Sequence, residues 1–84
     1  MTDTTHETPF RDIPAQQRPL MLIASGVATA TATREAEDLE HAVRQLLASG
    51  IETGMDGSLS FLCEFALEVA SALRQACRNS LIDG

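Results

Sequence analysis

Leu59-Ser60-Phe61-Leu62-Cys63-Glu64-Phe65-Ala66-Leu67-Glu68-Val69-Ala70-Ser71-Ala72-Leu73-Arg74-Gln75-Ala76 is the stretch whose reading decides how this chain folds. Leu59, Leu62, Ala66, Val69, Leu73 and Ala76 recur at intervals of three and four residues, the period of one face of an α-helix. Phe61, Phe65 and Ala72 widen that face on one flank, and Cys63, Ala70 and Cys77 widen it on the other. On a helical wheel the apolar arc covers about 200°. The polar stripe left over is narrow: Ser60, Glu64, Glu68, Ser71, Gln75 and Arg78. The pattern predicts a helix over 58–79, capped at its start by Asp56 or Ser58.

Upstream, Ala32, Ala36, Leu39, Val43 and Leu46 follow the same rhythm, with Leu47 adjoining, and predict a helix over 30–49. Thr29 or Thr31 can cap it. Its apolar arc is about 100°, and Arg34, Glu37, Asp38, Glu40, His41, Arg44 and Gln45 occupy the opposite side. Gly50 reads as the left-handed stop and Ile51 as the hydrophobe that follows such a stop, so 49–57 reads as a loop. Leu20-Met21-Leu22-Ile23-Ala24, bounded by Pro19 and by Ser25-Gly26, reads as a buried strand. A lone strand leaves its ladder groups unpaired, and a symmetry mate is the simplest partner. Residues 1–19 hold all three prolines. They read as a flexible N-terminal tail ahead of a helical hairpin domain over 20–84, with Phe10 and Ile13 as the only anchors.

A helix with a narrow apolar stripe cannot cover a helix with a wide one. Either the strand and tail shield the excess within the chain, or a second copy does. A two-helix hairpin of this size holds little core by itself, which favours the second copy. The expected fold is therefore all-α: a two-helix antiparallel hairpin with a short N-terminal strand, dimerising into a four-helix bundle. The expected dimer interface is Leu59, Phe61, Leu62, Phe65, Ala66, Val69, Ala72, Leu73 and Ala76.

Eighty-four residues make one domain at most. The net charge is -6, all six basic residues are arginine, and there is no tryptophan or tyrosine. An acidic surface repels phosphate backbones and anionic lipid, so nucleic acid and membrane are disfavoured partners. Met1 to Pro9 lack the basic start and apolar run of a secretory signal. The apolar stretch from Leu20 to Ala32 is far short of the ~20 residues a membrane span needs. The chain reads as cytoplasmic, with Cys63 and Cys77 as reduced thiols.

The candidate chemistry is thin. Asp56-Gly57-Ser58-Leu59-Ser60 resembles part of a calcium loop, but placing Asp56 fifth puts Gly54 third and Cys63 twelfth, where carboxylates are required. Fourteen helical residues separate Cys63 from Cys77 by ~21 Å, so they cannot bond within a chain. They read as small buried hydrophobes, with a bond between two copies as the other option. No metal or cofactor site emerges. Catalysis through His41 and a carboxylate would require His41 to lie in a pocket, and Ser58, Ser60 and Ser71 have no paired histidine in sequence. Glu35, Glu37, Asp38 and Glu40 form an acidic cluster: a solvated face, or a patch that meets a basic partner.

Gly26-Val27, Arg34-Glu35-Ala36-Glu37-Asp38-Leu39 with Ala42-Val43-Arg44, and Phe65-Ala66-Leu67-Glu68-Val69-Ala70-Ser71-Ala72-Leu73 resemble a family of short pseudomonad proteins of unknown function. The resemblance covers roughly residues 20–77 and implies no catalytic residues. The expected role is that of a small acidic homodimer acting by protein–protein interaction, a regulator or inhibitor of a protein partner rather than an enzyme. The alternative is a degenerate strand-helix-helix transcription regulator or antitoxin. Its strand would offer DNA no base-reading donor except Ser25.

Overall fold

The computed structural model describes the backbone of residues 3–53 and 56–83, and the side chains of residues 3–50 and 56–78. Strands β1 (Thr8–Ile13) and β2 (Arg18–Ile23) precede helices α1 (Thr29–Thr53) and α2 (Gly57–Asp83). The architecture is α+β, not the all-α hairpin expected from the helical periodicities. The strands form an antiparallel pair with Thr8 opposite Ile23, Phe10 opposite Met21 and Asp12 opposite Pro19.

The turn explains why β1 exists. Pro14 takes the corner of a tight turn where its fixed φ fits. The Gln16 amide donates to the Ile13 carbonyl at 3.1 Å and the Gln17 amide to the Pro14 carbonyl at 3.2 Å. Gln17 closes the turn in the left-handed region, at φ 54°. Pro9 lies opposite Leu22 and Pro19 opposite Asp12; each removes one backbone donor, and the ribbon forms around them. Thr8–Ile13, expected within a flexible tail, therefore supply the partner strand that was expected from a symmetry mate. The ribbon continues past the strands through a Thr4–Ala28 bridge. The buried Thr5 hydroxyl donates to the Ala24 carbonyl at 2.7 Å and accepts from the Val27 amide at 3.1 Å.

Helix α1 begins at Thr29, and the Ala28 carbonyl accepts the first helical bonds from the Thr31 and Ala32 amides. Neither threonine is the cap; the Thr29 amide donates instead to the Asp3 carbonyl at 3.0 Å. Gly50 does not stop the helix. It is buried inside α1, seven residues after buried Val43 and on the same face. At the start of α2, Asp56 is the cap: its Oδ1 accepts from the Leu59 amide at 2.8 Å.

The core is built from small side chains. Ala32, Ala36 and Val43 of α1 meet α2, whose buried residues are Cys63, Ala70, Ala72 and Ala76. No large side chain is fully buried among the described residues. Helix α2 is apolar round much of its circumference because it has two neighbours. One flank faces α1. The other meets the ribbon, where the His6 amide donates to the Ala76 carbonyl at 3.2 Å and Arg11 pairs with Glu68. The ribbon thus provides part of the cover that was expected from two α2 helices meeting in a four-helix bundle.

The result is thin. The chain measures 46 × 34 × 15 Å along its principal axes. Its radius of gyration is 14.8 Å, against about 12 Å for a compact domain of this length.

Candidate interaction surface

Among the described residues, large apolar side chains remain open on β2 and on both helices. On β2, Leu20 is 59% and Leu22 52% exposed, and Met21 between them is 36% exposed. Leu20 and Leu22 lie two apart, on one face of the strand. On α2, Phe61 and Leu62 are 55% and 56% exposed, and Leu46 and Leu47 near the end of α1 are also exposed.

Of the residues expected at a dimer interface, Phe61 and Leu62 are open, and Leu59, Phe65, Ala66, Val69 and Leu73 are half-buried. Ala72 and Ala76 are already buried within the chain.

Arg11 joins the ribbon to the first half of α2. Its Nη1 donates to Glu68 Oε1 at 2.5 Å. Its guanidinium lies 5.7 Å from the centre of the Phe61 ring and 5.1 Å from that of Phe65. The two rings are four residues apart on the helix and nearly parallel, 6.4 Å between centres. Arg11 adopts φ 54°, which departs from regular strand geometry at this position. Sequence reasoning missed this contact because it placed Arg11 in a tail. The available signal was the Pro14-centred turn between two segments that each carry apolar residues.

The acidic cluster is divided. Glu35, Glu37 and Asp38 are exposed on α1. Glu40 is held by Arg74 of α2, which donates from Nε at 2.9 Å and from Nη2 at 2.7 Å. This two-pronged bond is the main cause that lowers the Glu40 carboxyl below its ordinary range; partial desolvation opposes it, and the charges of Arg74 and Arg44 add to it. The same bond raises Arg74. His41 is exposed beside this pair, on a surface groove with Glu37, Asp38 and Arg44.

Cys63 is buried, and Cys77 is half-buried, with Sγ 3.7 Å from both the Thr33 hydroxyl and the Thr29 carbonyl. Both are free thiols. The stretch that resembled a calcium loop is helical from Gly57, and Asp56 is engaged as a cap; Gly54 and Met55 lie outside the described residues. Among the described residues no three His, Cys, Asp or Glu side chains converge on a metal position. No helix among them is long and apolar enough to cross a membrane. No family model, curated protein or solved structure matches this chain.

Proposed function

We propose that this chain is a cytoplasmic, acidic homodimer that works by protein–protein interaction, as a regulator or inhibitor that occupies a protein partner. One observation carries the reading. The chain exposes 6022 Å², whereas a compact protein of its mass exposes about 4,900 Å². The excess exceeds the ~800 Å² that each partner of a standard stable interface buries. Large apolar side chains lie in that excess, on β2 and on α2. Exposed apolar area of this kind marks an interaction site. The exposed carboxylates Glu35, Glu37 and Asp38 are the face offered to a basic partner, a contact that added salt weakens.

Multi-angle light scattering from micromolar to millimolar concentration tests the core of this reading. The expected mass is twice the 9.0 kDa of the chain. A mass that stays at the single-chain value across the series removes the homodimer, and with it the reason for the exposed apolar area.

A further inference from the structure

We infer that the second copy seats on the free edge of β2, so that two ribbons join into one four-stranded antiparallel sheet in the order β1-β2-β2-β1. The inference rests on the homodimer proposed above and names its seam.

The two edges of the ribbon are treated differently by the sequence. Native proteins protect exposed strand edges with proline, charge or a local break in strand geometry. Strand β1 has all of these: Pro9, Arg11 at φ 54°, and Asp12. It is also the strand that reaches α2, through Arg11 and Glu68. On β2 the protection ends at Arg18 and Pro19. Leu20 to Ile23 carry no charge, no proline and no left-handed residue, and no other strand pairs with them beyond β1. An unprotected apolar edge is a template for another strand.

Charge points to the same place. No charged residue occurs between Arg18 and Arg34, the longest such run in the chain. Two molecules that each carry -6 meet there with the least repulsion. Symmetry then limits growth. Pairing two identical edges antiparallel is isologous and closes at two copies, whereas a head-to-tail contact propagates.

The side chains fix the register. Side chains on paired strands must share a face. A two-fold axis at Met21 sets Leu20 opposite Leu22 of the second copy and Met21 opposite its own counterpart. A shift by one residue sets Leu22 opposite Met21 and loses the leucine match. Residues directly opposite in an antiparallel pair have Cα atoms about 4.5–5.5 Å apart, within the range a disulfide spans.

One added cysteine at a time, in the full chain with Cys63 and Cys77 each replaced by Ser, reads this out. Met21→Cys is expected to form a disulfide-linked dimer under mild oxidation at least tenfold faster than Leu62→Cys in the same background. Leu22→Lys is expected to shift the protein to single-chain mass in light scattering while its helical circular dichroism is kept. A dimer that cross-links through Leu62→Cys and not through Met21→Cys overturns the β2 seam and leaves self-association standing. So does a Leu22→Lys protein that remains dimeric. A single-chain mass for the unmodified protein overturns both the seam and the homodimer.

Discussion

Arg11 holds a left-handed backbone, and its side chain ties β1 to α2 through Glu68, Phe61 and Phe65. Each contact is partly wet, so each is modest: an exposed ion pair contributes less than about 1 kcal/mol and an exposed cation–π contact about 0.5–1 kcal/mol. Arg11→Ala is expected to lower unfolding stability by about 1 kcal/mol, read as a lower urea midpoint with an unchanged slope. Arg11→Lys keeps the charge but loses the planar group that stacks on the rings, so it should fall between. Glu40 behaves differently, because its contribution is tied to pH. Its carboxyl is lowered on folding, chiefly by the Arg74 hydrogen bonds. A carboxyl lowered in this way stabilises the fold above its unfolded-state value and loses that contribution as pH falls through the lowered one. Thermal stability should therefore decline as pH falls through and below the ordinary carboxyl range, and Glu40→Gln should flatten part of that decline. An acid limb of equal steepness in wild type and variant would show that the pair is energetically silent.

Between elements, the closeness of α1 and α2 depends on side-chain size. Ala36 and Ala76 are fully buried and Val43 nearly so, so the helices meet through methyl groups with no room for extension. Ala36→Leu is expected to destabilise by about 1–3 kcal/mol through overpacking, seen as a lower thermal midpoint. A neutral result would mean that the helices separate readily. The helices were legible in the sequence because alternating three- and four-residue spacing persists through Ala32–Leu46 and Leu59–Ala76. Their ends were less so. Gly50 has the identity of a helix stop, yet α1 runs through it to Thr53 with Gly50 on the buried face, at a helix penalty of ~1 kcal/mol. Strand β1 was not legible because Pro9, Arg11 and Asp12 suppress the local strand signal, and these same features protect its edge once the pair has formed. The wide arc of α2 was expected to need cover, and part of that cover comes from β1, which no periodicity marked. Of the expected interface, Ala72 and Ala76 are buried in the chain's own interior.

At the scale of the molecule, thinness and stability are linked. The chain extends only 15 Å along its shortest axis, and domains normally bury their apolar faces between two layers. With a core of alanine, valine and cysteine, one copy gains little burial to set against the entropy of ordering its residues. In the proposed dimer a second copy supplies further buried area, which would make folding and association one equilibrium. The consequence is a concentration-dependent melting temperature. For a dimer that dissociates as it unfolds, a tenfold rise in concentration adds about 1.4 kcal/mol per dimer, or roughly 0.7 kcal/mol per chain. At about 4–8 °C per kcal/mol for a chain of this size, the midpoint should rise by roughly 3–6 °C per tenfold in concentration. Leu22→Lys should both lower the midpoint and abolish its concentration dependence, since a chain that melts alone has a midpoint independent of dilution. A wild-type midpoint that does not move across a hundredfold range would mean that a single layer is stable without its copy, and the excess surface would then need another explanation.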